Sequence, residues 1–298
     1  SRMCCSAEKT HRTMAEVVGL GLRIVGFLLF SVVALATTGE AAGKVPGTLI
    51  VRDALTLPNH SVRIEAQVAV KTAGPPLSGV VLHLQIDGKE VATGKTGESG
   101  QVSFDYLAKM RGTNVISVLV DPDAPIAAEK VDATLCVWER RRPIVVVEVD
   151  ALIQPASASA ASPVAGTTDN TAPIPVPEAA EELARLTQYY YNVVYVWSHE
   201  QGPMGNVSSE QVRRWLGAHQ FPVGFVATPM PGGLNATLDA LKGEGWTTMK
   251  SGVGRTRAFA DVLLQHRMEV VVVPELPKGE LPRKAKSAKD WKEVRKKL

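Results

Sequence analysis

The amino-acid sequence predicts a multidomain protein in which a β-sandwich is followed by an α/β domain with a parallel sheet. Two observations carry this prediction. Apolar residues recur with a period of two from Thr48 to Trp138, which is typical of half-buried strands. Beyond Glu139, continuous apolar runs alternate with stretches of helical periodicity, and this alternation indicates a parallel sheet wound with helices.

The composition is that of a folded protein for which no nucleic-acid partner is expected. The 298 residues are 45% hydrophobic and 21% charged, which excludes wholesale disorder. The 33 basic and 30 acidic residues leave a net charge of only +3, although residues 278–298 are strongly basic and leave contact with anionic lipid open. Three cysteines exclude a disulfide scaffold, and Cys136 is expected to be a small buried residue.

The first 42 residues are predicted to be an export segment. Residues 24–36 read IVGFLLFSVVALA, an apolar run of 13 that is short for a membrane span, since a spanning helix needs ~20 residues. Basic residues precede the run and small residues follow it, which is typical of a secretory signal peptide. A retained membrane anchor is the alternative. Either interpretation predicts an exported protein that is periplasmic, secreted or membrane-anchored.

Residues 43–142 are predicted to form an immunoglobulin-like β-sandwich of about seven short strands. Asp87-Gly88 supplies a hairpin turn, because glycine accepts a positive φ without steric cost. His83, on the polar side of its strand, is expected to be a surface residue. Residues 75–107 resemble the bacterial immunoglobulin-like modules of surface and secreted proteins in their Pro-rich start, DGK hairpin and T-x-x-x-G strand. That resemblance implies a spacing or binding role without chemistry.

Residues 143–298 are predicted to form the α/β domain. It begins with a strand buried on both faces in PIVVVEVDALI, residues 143–153. Residues 154–177, rich in Ala, Ser, Thr and Pro, are predicted to be a flexible insertion. The elements that follow are predicted as a helix from 178, a strand over 193–197, a helix from 208, a strand over 221–227, helices over 235–242 and 255–265, a strand over 268–273 and a basic terminal helix.

Polar residues follow several of these strands at their carboxyl ends, where open parallel sheets place their chemistry. The strand ends are VVVEVDAL, VVYVWS and VVVVPELPKGE. Their order resembles the motifs of the haloacid dehalogenase-like phosphohydrolases, and loosely the lipin-type phosphatidate phosphatases. The resemblance implies a Rossmann-like sheet. It also implies that Glu148 occupies the nucleophile position, Asp150 the acid/base position, and Ser198 the position that holds the phosphoryl group.

The same resemblance implies a magnesium ion and a cation for the phosphate. Glu148, Asp150 and Glu275 are the implied ligands of Mg²⁺, since hard cations take carboxylate oxygens. The basic residue of the third motif is not uniquely placed. Its candidates, which with Ser198 would bind phosphate, are Lys250, Arg255 and Arg257.

The sequence departs from the family at the residue on which the chemistry depends. The extra methylene of Glu148 moves the attacking oxygen by more than ~1 Å relative to aspartate, and such a misplacement costs ~100-fold or more in rate. We therefore expect a phosphatase-like pseudoenzyme that binds a phosphorylated or acidic ligand. A Mg²⁺-dependent phosphohydrolase using Asp150, Ser198 and a water nucleophile is one alternative, and a structural cell-envelope protein is another. In the plainest alternative, Glu148 and Asp150 end a buried strand and bind backbone amides or a neighbouring arginine.

Overall fold

The computed structural model describes residues 43–71, 74–155, 173–197 and 207–298. Residues Lys44–Leu298 form one compact unit. The predicted export segment, residues 1–42, lies outside the described residues. Within the described ranges, no helix has the length and apolar character needed to cross a bilayer.

Nine strands in two sheets form the first half of the described chain. They are β1 (Val45–Val51), β2 (Ala54–Thr56), β3 (His60–Val70), β4 (Val81–Ile86), β5 (Lys89–Lys95), β6 (Gln101–Ala108), β7 (Gly112–Val120), β8 (Ile126–Ala127) and β9 (Val131–Val137). One sheet has the order β6-β3-β1-β8 and the other the order β2-β9-β7-β4-β5. Strands β1, β3 and β6 take the places of immunoglobulin strands A, B and E, and β4, β7 and β9 those of C, F and G. The sandwich is therefore immunoglobulin-like, as the sequence predicts.

The alternating pattern of the sequence places one side of each strand in the core of the sandwich. In β3, Ile64, Ala66 and Val68 are buried, whereas Arg63 before them and Glu65 between the first two are exposed. Each fully buried aliphatic side chain stabilises the fold by about 1.5–3 kcal/mol relative to an exposed one. The sheets are thus held together by the residues that the period of two identifies.

The outer face of β4 carries a histidine that lies against two carboxyl groups. The sequence predicts a plain surface residue at His83, but its Nε2 lies 2.9 Å from Oδ2 of Asp121 and its Nδ1 lies 3.3 Å from Oε1 of Glu90. The hydrogen bond to Asp121, and then the bond to Glu90, raise the pKa of His83 against the opposing effect of partial burial. Near this histidine the predicted Asp87-Gly88 turn joins β4 to β5, with φ values of 49° and 78°.

Six parallel strands and five helices form the second half of the described chain. The strands are β10 (Ile144–Glu148), β11 (Asn192–Val196), β12 (Phe225–Val226), β13 (Met249–Gly254), β14 (Glu269–Val272) and β15 (Lys286–Ser287). The helices are α1 (Ala179–Tyr189), α2 (Ser209–Ala218), α3 (Gly233–Gly243), α4 (Arg257–Gln265) and α5 (Trp291–Lys297). The sheet order is β12-β11-β10-β13-β14-β15. Side chains of α1, α2 and α5 pack on one face of the sheet, and those of α3 and α4 pack on the other.

Strand β10 lies in the middle of the sheet and is buried along its whole length, which explains its continuous apolar sequence. The chain leaves β10 towards β11 on one side and returns to β13 on the other. Open parallel sheets bind ligands beyond the carboxyl ends of the strands at such a switch point. A short 3-10 turn, Val149–Leu152, follows β10 directly at this place.

The sequence does not predict β13, although this strand pairs with β10. It reads MKSGVG and has no apolar run, because two of its residues must be glycine. A Cβ on Gly252 would lie 2.2 Å from Cδ2 of Leu263, and one on Gly254 would lie 2.2 Å from Cδ1 of Phe259. Both of these neighbours belong to α4, so the glycines allow that helix to lie close against the sheet.

Other elements differ from the prediction mainly in extent. The strand predicted over 221–227 is regular only at Phe225–Val226. The two ends of the predicted insertion are held together by backbone hydrogen bonds. The Gln154 amide donates to the Ile174 carbonyl at 2.8 Å, and the Val176 amide donates to the Leu152 carbonyl at 2.7 Å. The rest of that insertion, residues 156–172, lies outside the described residues.

The sandwich and the α/β part are joined through a buried carboxylate. Asp53, between β1 and β2, accepts hydrogen bonds from the amides of Thr134 on β9 and Val226 on β12, both at 2.8 Å. Nη1 of Arg213 on α2 lies 2.9 Å from Oδ1 of Asp53, whose side chain is fully buried. Nη2 of Arg213 also donates to the Val51 carbonyl at 3.1 Å. Asp53 therefore joins the two parts directly, because it accepts hydrogen bonds from backbone amides of both. Arg213 of the α/β part contacts the sandwich through Asp53 and through the Val51 carbonyl.

A hydrophobic cluster extends across the same junction. Cys136 is fully buried, as expected, and belongs to one cluster with Trp138 of the sandwich and Trp246 of the α/β part. The two indole rings meet edge to face with their centroids 6.3 Å apart. A shared core of this kind makes the two parts one packed body.

Candidate functional site

Glu148 lies at the carboxyl end of β10 and is bonded to the start of α4. Its Oε2 accepts hydrogen bonds from the amide of Arg255 at 2.6 Å and from the amide of Thr256 at 3.1 Å. Its Oε1 accepts a hydrogen bond from the Thr256 hydroxyl at 2.7 Å. The residue is only 7% exposed. Both carboxylate oxygens are thus engaged by donors of the protein itself.

Thr256 is the N-cap of α4 and connects this helix to Glu148. Its Oγ1 accepts a hydrogen bond from the Phe259 amide at 3.1 Å while it donates to Glu148. The first amides of a helix have no intrahelical partner, and a carboxylate there is stabilised by these amides and by the helix dipole. The Glu148 side chain therefore fills the anion-binding position at the start of α4.

Asp150 lies two residues further along, in the 3-10 turn. It is 5% exposed, and its Oδ1 has no hydrogen-bond partner among the described residues. Burial raises the pKa of Asp150 to about 6, with a further contribution from the nearby charge of Glu148, and the charge of Arg255 opposes both. A carboxyl group with this pKa changes its protonation state just below neutral pH.

Arg255 supplies the positive charge beside these two carboxyl groups. Its Nη2 donates to the carbonyl of Ile153, the residue that ends the 3-10 turn. Its Nε is buried without a hydrogen-bond partner in the described part of the chain. Burial lowers the pKa of Arg255, and the charges of Asp150 and Glu148 oppose that shift. The site therefore combines two buried carboxyl groups with one guanidinium, and its formal charge is −1 when both carboxyl groups are ionised.

Three other predicted site residues, Lys250, Arg257 and Glu275, do not belong to this cluster. Lys250 is exposed at the start of β13, next to the residue that pairs with Ile144, and so it lies at the amino edge of the sheet, away from Glu148. Arg257 is exposed on the first turn of α4, with its Nε 3.5 Å from Oδ2 of Asp261. Glu275 is exposed in the loop after β14. Ser198 lies outside the described residues.

The described residues do not fit the implied magnesium ion. No group of three or more His, Cys, Asp or Glu side chains in these ranges has the geometry to hold a metal. Glu148 is occupied by three donors, and the guanidinium of Arg255 is bonded to the turn that carries Asp150.

The sequence motifs locate Glu148 and Asp150 but miss Thr256. The missing signal is β13, because its carboxyl end is what brings Arg255 and Thr256 beside β10. The threonine three residues before Phe259, at the start of an apolar helical pattern, is an N-cap signal that could have indicated this residue. The plainest of the alternatives, a carboxylate bonded to backbone amides, describes the geometry of Glu148.

Comparisons with known proteins assign the chain to no family. No protein-family model and no curated protein matches it. Fibronectin(III)-like modules of CbhA from Clostridium thermocellum are 15% identical, with a TM-score of 0.25, over 31% of this chain and 47% of that one. A CARDB domain from Pyrococcus furiosus is also 15% identical, with a TM-score of 0.23, over 31% of this chain and 93% of that one. The adhesin InvE of Yersinia pseudotuberculosis is 11% identical, with a TM-score of 0.26, over 34% of each chain.

The class of protein is therefore defined by its own strand order. The chain joins an immunoglobulin-like β-sandwich to a layered α/β domain with six parallel strands. Two buried carboxyl groups and one partly buried arginine lie at the switch point of the parallel sheet.

Proposed function

We propose that this chain is an exported, phosphatase-derived protein that does not catalyse phosphoryl transfer. In this proposal the α/β domain descends from a dehalogenase-like phosphohydrolase. The residue at its former catalytic position now connects β10 to the start of α4 by hydrogen bonds. The observation that carries the proposal is the bonding of Glu148 to the amides of Arg255 and Thr256 and to the Thr256 hydroxyl.

The position of β10 supports the dehalogenase-like ancestry. The strand with the VVVEVDAL motif is central, and the chain reverses its direction of winding beside it. In the resemblance described above, the residue at the end of this strand is the nucleophile. Here that residue is a glutamate whose side chain turns to the start of α4.

A carboxylate in this state is a poor nucleophile for phosphorus. Its lone pairs are directed at three donors, and withdrawing a buried charged acceptor from its donors costs about 1.5–3 kcal/mol for each hydrogen bond lost. The neighbouring Asp150 has no hydrogen-bond partner for Oδ1 among the described residues, but this atom is buried and therefore closed to substrate in this conformation. Loss of catalysis follows from bonding as well as from side-chain length.

Phosphate release tests this proposal directly. The full chain is assayed with Mg²⁺ on p-nitrophenyl phosphate and on phosphatidate, beside the variants Glu148→Asp and Asp150→Asn. We expect no release above background from any of the three proteins, because the donors at the start of α4 hold either carboxylate at position 148. Release by the wild-type protein that Asp150→Asn abolishes would overturn the proposal and favour the Mg²⁺-dependent phosphohydrolase.

A second candidate function is the binding of a phosphorylated or acidic ligand without turnover. It is favoured by one observation, the buried Nε of Arg255 that has no described partner and would donate to an anionic oxygen after a local opening. The charge of the two carboxyl groups opposes it. Equilibrium dialysis with labelled inorganic phosphate tests it, and saturable binding that Arg255→Ala removes would support it over a purely structural cell-envelope role.

The basic tail is a weaker candidate for a lipid surface than its sequence suggests. Trp291 and Val294, the apolar residues of α5, are buried in the core of the α/β part. Several basic side chains of the tail also lie within ion-pair distance of acidic residues: Lys286 with Glu269, Lys292 with Glu178, Arg295 with Glu182, and Lys297 with Glu293. We propose that these residues stabilise the domain and do not anchor it to anionic lipid.

A further inference from the structure

We propose that a cleft between the sandwich and the α/β part is a binding site for an acidic sugar, that is, a hexuronate or a saccharide that contains one. The cleft has a volume of about 660 Å³. A volume of this order is typical of small-molecule sites, which occur preferentially where domains meet. The cleft lies at the amino edge of the parallel sheet, because its residue Asn192 pairs with Ile144 at the start of β10. The site is therefore separate from Glu148 at the other end of β10 and does not depend on the proposed loss of catalysis.

The apolar surface of the cleft comes from both parts of the molecule. Trp138 of the sandwich and Val193 of β11 line it and are otherwise buried. Val223, before β12, also lines it and is 68% exposed, and Tyr191, after α1, lines it and is half-buried. A sugar ring has faces of C–H groups, which pack on aliphatic and aromatic side chains of this kind through dispersion and removal from water.

Polar groups without a protein partner surround this apolar surface. The side-chain amides of Gln188 and Asn192 and the hydroxyl of Tyr191 belong to residues that line the cleft. Within the described ranges, none of these three groups is hydrogen-bonded to another residue. Each amide offers two donors and an acceptor, and the hydroxyl both donates and accepts. The hydroxyl groups of a sugar would supply partners for all three.

Arg142 supplies a positive charge to the cleft wall. Its Nη2 donates to the carbonyls of Thr187 and Tyr191, at 2.5 Å and 3.3 Å, which holds the guanidinium in place. A guanidinium has five N–H donors, so Nε and Nη1 remain without a partner among the described residues. No described carboxylate lies within ion-pair distance of Arg142, whereas the other arginine of the cleft, Arg111, is paired with Glu139.

The charge of the cleft suits a carboxylate. The charged side chains among its described lining residues are two arginines and one glutamate, which give a net charge of +1. A hexuronate carries one negative charge at neutral pH, whereas a phosphate monoester carries about −1.5 to −2. A carboxylate placed at the free donors of Arg142 would form charge-assisted hydrogen bonds, which are stronger than neutral ones. The cleft therefore favours a hexuronate over a nucleotide or a sugar phosphate.

Saturation-transfer nuclear magnetic resonance with matched sugars tests the site. The full chain is titrated with D-glucuronate, D-galacturonate, D-mannuronate and L-guluronate, and with the neutral hexose that corresponds to each. We expect saturable binding of at least one hexuronate. Its neutral counterpart should bind about 10-fold or more weakly, because the charge-assisted hydrogen bonds are lost. Saturable binding of none of these hexuronates, or equal binding of acid and neutral sugar, overturns the proposal.

Two neighbouring arginines provide a matched pair of variants. Arg142→Gln should weaken hexuronate binding by about 10-fold or more, because it removes the charge from the cleft wall. Arg141→Gln removes a side chain that is 86% exposed and is paired with Glu139, and it should bind the hexuronate as the wild type does. Equal losses in the two variants, or a loss in neither, would overturn the assignment of Arg142.

A second variant decides the case if Arg142→Gln disturbs the end of α1, which a lowered Tm would show. Asn192→Asp places a carboxylate in the cleft at a side chain without a protein partner among the described residues, so it should repel the hexuronate and abolish binding at an unchanged Tm. Undiminished binding by this variant overturns the site. Tighter binding of adenosine monophosphate than of every hexuronate also overturns it, in favour of a phosphate ligand. The readout is binding at the amino edge, so phosphate release by the wild type would count against the proposed function alone.

Discussion

The proposed lack of catalysis depends on individual residues at the end of β10. A nucleophilic carboxylate must be free to approach phosphorus, whereas Glu148 is bonded to two amides and a hydroxyl of the same chain. Asp150 differs from it, because its Oδ1 has no hydrogen-bond partner in the described ranges. Glu148 is thus a structural hydrogen-bond acceptor, whereas Asp150 has a raised pKa.

The raised pKa of Asp150 makes stability depend on pH. Its pKa is about 6 in the folded protein against the ordinary aspartate value of 3.8, chiefly because of burial. The folded state therefore takes up a proton first as the pH falls. This stabilising contribution is complete below about pH 3.8 and is lost as the pH rises through about 6. We expect the free energy of unfolding to increase by roughly 2 kcal/mol from this group between pH 7 and pH 4.

The variant Asp150→Asn isolates this contribution in urea unfolding curves measured between pH 7 and pH 4. The difference between wild type and variant should change with pH in the stated direction. Asp261→Asn, which removes a partly exposed carboxylate on α4, serves as the control and should keep the pH dependence of the wild type. A pH-independent difference between wild type and Asp150→Asn would show that the carboxyl group titrates normally.

At the scale of elements, the site depends on the contact between β13 and α4. This helix begins at a threonine that caps it and binds Glu148, and it lies close to the sheet because two residues of β13 have no side chain. The Thr256 cap, the two glycines and the Glu148 carboxylate therefore all contribute to the contact between α4 and the sheet.

Removing the cap should uncouple α4 from β10. In Thr256→Val, the Phe259 amide loses its acceptor and Oε1 of Glu148 loses its donor. We expect a loss of about 2 kcal/mol in the free energy of unfolding, measured in urea, because a cap contributes about 1 kcal/mol and a buried charged acceptor is left with fewer donors. Thr256→Ser keeps the hydroxyl and should stay close to wild type. A loss in Thr256→Ser but none in Thr256→Val would show that the methyl group matters and the hydroxyl does not.

Replacing a glycine by alanine should change the stability of the protein in opposite directions in β13 and in α2. Gly252→Ala places a Cβ 2.2 Å from Leu263 and should destabilise the protein by about 1–3 kcal/mol through overpacking. Gly217→Ala, near the end of α2, meets no atom within 4 Å and should stabilise the protein by about 0.5–1 kcal/mol. Chemical denaturation of both variants checks the pair. A neutral Gly252→Ala would mean that α4 does not lie as close to β13 as the structure has it.

Hydrophobic periodicity predicts strands whose buried positions are filled by apolar side chains. It fails for a buried strand whose residues are small. The alternation in β3 and the apolar run of β10 are sufficient to place these strands and the acidic residues after β10. Strand β13 escapes prediction because Gly252 and Gly254 contribute no hydrophobic signal. The bond from Glu148 to Thr256 joins residues 108 positions apart and depends on β13, so it could not be predicted either.

At the scale of the whole molecule, the sandwich and the α/β part are packed as one body. Asp53 and Arg213 form an ion pair that is almost entirely buried, and the cluster around Cys136 continues from one part into the other. Removing one partner of a buried pair leaves an uncompensated charge, which costs about 3–5 kcal/mol. The sandwich is therefore unlike a freely hinged spacer.

Unfolding should accordingly be a single transition. Trp fluorescence, which reports mainly on the α/β part, and far-UV circular dichroism should give coincident urea curves for the wild type. Arg213→Met should move both curves to lower urea concentration by the same amount, and Arg214→Met, on the exposed side of α2, should leave them in place. Two separate transitions in the wild type would contradict the shared core.

The most direct test of a closed, non-catalytic site is the exchange of the Arg255 and Thr256 amide hydrogens with solvent, followed by nuclear magnetic resonance. If Glu148 holds these amides, both are protected in the wild-type protein, and Mg²⁺ with a phosphomonoester leaves their exchange unchanged. In Glu148→Ala their exchange should accelerate by about 10-fold or more, since each loses a charged acceptor. Rapid exchange in the wild type, or a change in exchange when Mg²⁺ and the phosphomonoester are added, would contradict this closed site.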